Sequence, residues 1–423
     1  MPDPTGLGLN TDTPSVLFVD LNSAFASIEQ QYRPELRGKP VLVAPGAARG
    51  SAVISASREA RLAGVKTGMR IYEARKLLSC PVILEPDPLK YRAVSRLLLD
   101  MLGTYSPEVL PLSIDEAAVN LRGTISMGRD LRELGLEVKR RLREEVGDWL
   151  TCSVGFATNI FLAKQAAEIE KPDGLVVIDH RNLVETLSRL KLTDLTGIST
   201  GNAARMARAG IGTPLQLLSA DNHTLRHQVF NSIVGEIWHR QLRGFETASF
   251  KEARRKSLSH SYVLPRPSAS IPELDLLALR LCDKLGRRLR RDSVVAGRIA
   301  VQLRYESGDT VDKHLRQQRL EATTGITAAA RTLLARAFDG RPVRQLGIAV
   351  TELAPVEVAQ LDLFSAGSSR ASRVSAAVDR LRDRFGEGVI FPASLLGHEN
   401  LAPDRIAFGK LPASLEDSPG AAD

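Results

Sequence analysis

The stretch Leu112–Asn120, LSIDEAAVN, sets two carboxylates side by side inside an apolar, β-leaning run. Adjacent residues on a flat strand point to opposite faces. A strand carried straight through would put one acid in the core, where an unpaired carboxylate is costly. The strand is therefore expected to end here, with Asp115 and Glu116 at a hairpin turn where both side chains reach one site. Two acids at one site repel unless a cation holds them ionised together. On this stretch alone, a plain turn with solvated acids fits equally well.

A chain of 423 residues is too long for one core; at ~150 residues per domain it divides into about three. With 43% hydrophobic and 25% charged residues it reads as soluble and globular. No run of ~18 apolar residues predicts a transmembrane helix, and MPDPTGLGLNTDTPS carries no apolar signal core. A cytoplasmic location with no membrane partner is expected. Cys80, Cys152 and Cys282 are scattered, with no CxxC pair, so they read as reduced thiols. His223 and His227 have ligand-like spacing but no obvious third ligand, and read as ordinary helix residues.

The net charge of +8 is uneven. Lys251–Val350 holds 20 Lys and Arg against 10 Asp and Glu, a surplus of +10 that exceeds the whole chain's. A basic domain joined to a balanced one suits a polyanionic partner; charge alone leaves a solvated basic face equally open.

SVLFVDLN (Ser15–Asn22) reads as a buried strand followed by a helix. GKPVLVAPG and GSAVISAS read as short strands, REARLAG and KYRAVSRLLLDMLGTY as helices. LTCSVGFAT and LVVID read as strands around the helix NIFLAKQAAEIEKPDG. This mixture, closing near residue 180, fits an α/β domain. Residues from about 185 to 245 are helical in pattern. LTDLTGISTGNAARMARAGIGT there is similar to a helix-hairpin-helix, whose backbone N–H groups suit a DNA phosphate, though a plain turn between helices fits too. A second α/β unit follows over about 258–355, with a helix at IPELDLLALRLCDKLGRRLRRD, strands at GRIAVQLRYES and QLGIAVTELA, and the helix ITAAARTLLARAF between them. The tail carries QLDLF (Gln360–Phe364) and the helix RVSAAVDRLRDRFG.

Asp20 ends the first strand and is a third acid to join the pair. Three carboxylates at strand ends can hold Mg²⁺ as hard oxygen ligands, and two such ions serve phosphoryl transfer. Spacing alone does not show that the acids meet.

FVDLNSAFASIE, SASREARLAGVKTGM, LSIDEA and SVGFATNIFLAKQAAEIEKPDG resemble, in order, the blocks of Y-family translesion DNA polymerases. Within that family DLN is similar to the UmuC type, the catalytic subunit of bacterial polymerase V. The DinB or polymerase IV branch, the second choice, usually has an acid at the Asn22 position. The resemblance implies an α/β multidomain right-hand polymerase. Palm and fingers would span 14–180 (fingers about 34–82), a helical thumb 185–245, a linker 246–257, an α/β little finger 258–355, and a tail 356–423. It implies a magnesium-dependent, error-prone DNA-directed DNA polymerase that extends a primer past damaged template bases, binding primer-template DNA and dNTP.

By the same resemblance, Asp20, Asp115, Glu116 and the Leu21 carbonyl would hold two Mg²⁺ ions. Arg61, Lys171 and the backbone N–H groups of Ser23, Ala24 and Phe25 would face the triphosphate, with Arg58 where many relatives carry a phosphate-binding Tyr. Phe25 would be the steric gate against a ribose 2′-OH; on the residue alone, a core Phe at a helix start fits better. Ala52 and Gly68 fall where relatives place small residues over the nascent base pair. Gln360, Leu361, Leu363 and Phe364 resemble the bacterial sliding-clamp motif, anchored by a polar notch and an apolar pocket. Whether UmuD-like and RecA-like partners are needed stays open. The rival reading is a non-catalytic adaptor of the ImuB type, which keeps the clamp motif and loses the metal-binding acids. This chain keeps all three acids.

Overall fold

The computed structural model describes residues 6–250, 255–356, 366–386, 388–398 and 400–403. Gln360, Leu361, Leu363 and Phe364 lie outside them. The chain forms two compact units, one before and one after residues 251–254.

The first unit runs β1 (Val16–Leu21), α1 (Ala24–Tyr32), β2 (Val41–Val43), β3 (Ser55–Ala56), α2 (Arg58–Leu62), α3 (Ile71–Leu77), β4 (Val82–Leu84), α4 (Pro88–Gly103), β5 (Val109–Pro111), β6 (Glu116–Asn120), α5 (Leu131–Arg141), β7 (Cys152–Ala157), α6 (Ile160–Ile169) and β8 (Leu175–Val177). The helices α7 (Leu183–Ser188), α8 (Thr200–Arg208), α9 (Pro214–Ser219) and α10 (Val234–Leu242) follow. All six residues of β1 are buried, as a strand with neighbours on both edges and cover on both faces must be. It is the middle strand of the sheet β5-β6-β1-β7-β8, antiparallel to β6 and β7. β3, β2 and β4 form a small separate sheet, packed with Ala60, Val65 and Ile71 into its own apolar cluster.

Strand alternation decides what sits under α6. Phe18 and Asp20 share one face, and Phe18 lies opposite Gly155 of β7. A side chain at Gly155 would run into the backbone of Ala163 and Ala167, so the glycine lets α6 lie close on the sheet. Phe18, Ala163 and Ala166 share one core with Leu217, Leu225 and Trp238 from the helical segment. The turn before α8 contains Gly197 at φ +88°, a conformation that favours glycine. Among the described residues of 183–242 there is no strand.

The second unit runs β9 (Ser257–Ser268), α11 (Ile271–Arg291), β10 (Val294–Tyr305), β11 (Thr310–Leu320), α12 (Thr323–Ala337), β12 (Val343–Pro355) and α13 (Ala366–Phe385). Its antiparallel sheet has the order β11-β10-β12-β9. α11 is capped by the Ser270 hydroxyl and buries Leu274, Leu277, Leu281 and Leu285 at helical spacing against the sheet's core. The central strands β10 and β12 are the two apolar stretches visible in the sequence. The edge strands β9 and β11 are a correction: SLSHSYVLPRPS and TVDKHLRQQRL carry too few apolar residues to read as strands. Edge strands have one unpaired side and tolerate that polarity. The linker expected over 246–257 accordingly gives way to β9 at Ser257.

All three cysteines are free; Cys80 is exposed. Burial pushes the thiols of Cys152 and Cys282 up to about 12. His223 and His227 have their ring centres 4.8 Å apart with the planes tilted by 39°, and no group of three potential ligands surrounds them among the described residues.

Candidate active site

β1 and β6 end at the same level, with Asp20 directly opposite Glu116. Asp115 lies in the turn just before β6, and its carbonyl accepts the Leu21 N–H at 2.9 Å. The turn is closed by the N–H groups of Leu112 and Ser113, both donated to the Glu116 carbonyl. The hairpin expected from the adjacent acids is present. Because Asp115 precedes the strand proper, its side chain escapes the alternation and reaches the Asp20 side.

Asp20 and Asp115 line one cleft of about 750 Å³ with Leu21, Asn22, Ser23, Ala24, Phe25, Arg58, Arg61 and Lys171. Glu116 does not. Its carboxylate takes both hydrogen bonds from Lys164 Nζ, at 2.7 and 2.6 Å, and Lys164 also lies over the Phe18 ring. Lys171 Nζ donates to Asp20 at 2.9 Å and to Glu168 at 2.6 Å. The Ser113 hydroxyl donates to Asp115. Burial raises the Asp20 carboxyl to about 7, against the pull of Lys171 and with a further push from Asp115. Burial works against the charged Lys171 ammonium, but Asp20 and Glu168 outweigh it and its pKa is raised.

The donor set suits a hard divalent cation: carboxylate oxygens from adjacent strand ends, with a raised pKa that a cation would lower again. Lys171 on Asp20 and Lys164 on Glu116 supply positive charge to two of the acids. As the side chains stand, no three of His, Cys, Asp or Glu are grouped as a metal site among the described residues. Glu116 would have to leave Lys164 to join the other two.

The opposite wall comes from the β1–α1 turn and α2. Ser23 sits at φ +53°, a left-handed conformation uncommon outside glycine, and the chain reverses from β1 into α1 there. Arg61 donates to the Ser23 hydroxyl at 3.0 Å and to the Ala56 carbonyl at 3.2 Å. Arg58 is exposed at the start of α2. Phe25 is 1% exposed, yet it lines the cleft and stacks on Tyr91 at 4.5 Å with 7° between the ring planes. Tyr91 is braced in turn: its hydroxyl donates to buried Glu29 at 2.8 Å, which also receives Lys90 Nζ at 2.9 Å.

Asn22 acts as a strut. Its amide donates to the Ser153 hydroxyl at 2.9 Å, and its carbonyl oxygen accepts the Asp173 N–H at 2.8 Å. It ties the loop carrying Lys171 to the end of β1. Ala52 and Gly68 do not line the cleft around Asp20, where Ile54 and Thr67 do; Ala52 pairs instead with Arg70. Lys164, Glu168 and Tyr91 were not legible as site residues. The partners of Lys164 and Tyr91 come from distant segments, while Glu168 meets Lys171 three residues on, and the visible signal was two lysines spaced along one helical block.

Residues 19–168 match the sequence profile of the impB/mucB/samB family, and residues 255–363 match that family's C-terminal domain. The chain is 36% identical over 391 residues to a DNA polymerase IV of Moorella thermoacetica, covering 90% of this chain and 96% of that one. It is 31% identical over 405 residues to DNA polymerase IV 1 of Bacillus subtilis, covering 93% and 96%. Among solved structures, a Y-family DNA polymerase chimera, Dbh-Dpo4(243-245)-Dbh, shares the fold with a TM-score of 0.69 at 24% identity, covering 80% of this chain and 99% of that one. The insertion ternary complex of Dbh DNA polymerase aligns with a TM-score of 0.57 at 23% identity over the same shares. The relatives named polymerase IV correct the UmuC-type expectation, which leaned on Asn22; that side chain is a structural strut here and does not mark the branch. The chain belongs to the Y-family of DNA polymerases, right-hand enzymes with a separate little finger, and its activity is DNA-directed DNA synthesis.

Proposed function

We propose that this polymerase, of the polymerase IV kind, extends primers past damaged template bases in the cleft at the end of β1. The observation that carries the reading is that one cleft holds both charges: Asp20 and Asp115, with Lys171 against Asp20 at 2.9 Å, and Arg58 and Arg61 from α2. A dNTP needs both halves, cations for its phosphates and acids for the metal that accompanies them.

Asp20, Asp115, Glu116 and the Leu21 carbonyl are the groups that would hold two Mg²⁺ ions. When bound, such ions neutralise the phosphate charge built up as the primer 3′-oxygen displaces pyrophosphate. Arg61 and Arg58 hold the triphosphate from α2, and the N–H groups of Ser23, Ala24 and Phe25 face it from the start of α1. Lys171 would exchange Asp20 for phosphate oxygens as substrate enters. Phe25, held flat against Tyr91, would exclude a ribose 2′-OH by occupying its space.

The same reading assigns 14–180 to palm and fingers, with fingers near 34–82, then 185–245 to the thumb and 258–355 to the little finger. The outward face of the little-finger sheet carries Arg298, Arg304 and Arg316 beside small residues such as Ser259, Gly347 and Ala349. This is a surface that suits duplex phosphates without reading bases. Gln360, Leu361, Leu363 and Phe364 would tether the enzyme to a sliding clamp. The adaptor reading is not favoured, because the acids are present at the strand ends. The test is primer extension on undamaged and abasic templates. Wild type should extend on both, and Asp115→Ala on neither while still binding primer-template DNA. Extension by Asp115→Ala at near wild-type rate would remove Asp115 from the chemistry.

A further inference from the structure

The helix α13 faces its own unit with its charges and the solvent with its apolar residues. Arg290 forks onto Asp379 at 2.6 and 3.0 Å, and Arg287 donates to Asp383 at 2.7 Å. Arg382, buried, bridges to Asp283 at 3.0 Å and donates to the Ile390 carbonyl at 2.9 Å. The Ser372 hydroxyl donates to Glu321 at 2.9 Å. No α13 residue is among the described residues of the second unit's apolar core. Val374, Leu381 and Phe385 are instead 56%, 43% and 58% exposed. With half-buried Val378 they recur at i, i+4, i+7 and i+11, a single stripe along three turns. Arg370, Arg373, Arg380 and Arg384 are exposed on a third side, with Arg384 lying over the Phe385 ring.

A lone exposed leucine needs no explanation, but an apolar stripe in register on a helix with no described residue in the apolar core does. We propose that this face of α13 binds an acidic amphipathic helix of a partner protein. A facing helix with the same apolar period covers the stripe, and carboxylates on its flank meet the arginine row. The observations disfavour other occupants. Nucleic acid phosphates would use the arginines and leave the stripe in water. A second copy packed antiparallel about a two-fold would set one arginine row against the other.

The test uses the full chain and a labelled acidic peptide of about three heptads, with Leu along one face and Glu on its flanks, followed by fluorescence anisotropy. Saturable binding is expected. Leu381→Glu should weaken it about tenfold or more, as should the pair Arg380→Glu and Arg384→Glu, with melting temperature and basal primer extension unchanged. The same peptide with Lys for Glu should bind at least about tenfold more weakly. Absence of saturable binding, equal binding of the lysine peptide, or indifference to Leu381→Glu would each overturn the proposal. So would a dimer that Leu381→Glu dissolves, anionic vesicles binding this face where the peptide does not, or peptide binding that appears only when residues 404–423 are removed.

Discussion

Asp20→Asn is expected to make the metal-free protein more stable while abolishing its activity. Burial raises the Asp20 carboxyl from 3.8 to about 7. At ~1.4 kcal/mol per unit, ionising it in the folded state costs about 4 kcal/mol. The gain on substitution is smaller, because Lys171 then keeps only Glu168 and the new amide must itself find partners; about 1–2 kcal/mol is a fair expectation. Between pH about 4 and 7 the folded state retains a proton that the unfolded state has released, so wild-type stability falls across that window and the full cost is carried above it. The variant lacks this slope. Thermal unfolding in EDTA should therefore show Asp20→Asn melting several degrees higher at pH 8, with the difference closing near pH 6 and reversing below it, where wild type regains the full cost of about 4 kcal/mol and the variant does not. Millimolar Mg²⁺ should then raise wild type and leave the variant where it was. A variant less stable at pH 8, or a difference independent of pH, would refute the assignment of a buried, cation-starved carboxylate.

Four further outcomes are open to measurement. Phe25→Val should raise incorporation of rNTP relative to dNTP opposite the same template base, with a stability loss of about 1–3 kcal/mol from the broken Tyr91 stack; unchanged sugar discrimination in an active variant would remove Phe25 from the gate. Gly155→Ala should destabilise by about 2–4 kcal/mol in denaturant unfolding, since the added carbon meets the α6 backbone rather than a flexible side chain. Affinity for primer-template DNA should fall steeply with salt, and Arg298→Ala with Arg304→Ala should each reduce the log–log slope by about 0.9. Replacing Leu363 and Phe364 with Ala should abolish stimulation by a loaded sliding clamp while leaving basal extension and melting temperature unchanged; a lower melting temperature with clamp binding retained would mean that they pack against the polymerase itself.

What could be read from the chain before its structure divides along physical lines. The buried strands of the first unit, the helix α6 and the acidic hairpin follow local rules of alternation and period, and each lies where its pattern puts it. The edge strands β9 and β11 follow a different rule. They are stabilised by pairing to β12 and β10, which a sequence window does not contain. The branch expectation failed for a related reason. Asn22 was weighed as a branch marker, standing where the DinB branch usually has an acid, whereas its hydrogen bonds to Ser153 and Asp173 show a structural role that no residue nearby in sequence could reveal.

The question raised by two adjacent acids has an answer built from one helix. Lys164 and Lys171 are seven residues apart in NIFLAKQAAEIEKPDG, two turns at helical period. The first reaches Glu116 and the second, just past the end of α6, reaches Asp20. Because Gly155 lets α6 lie close to the sheet, both ammonium groups arrive on the face where Asp20 and Glu116 pair across the strands. Like charges on neighbouring strands would repel, and the lysines relieve that repulsion before any metal or substrate enters. The relief is incomplete at Asp20, where burial still outweighs the lysine. A divalent cation taking the place of the Lys171 ammonium would bring more positive charge to that carboxyl, so on the two-metal reading Lys171 would leave Asp20 as the site loads.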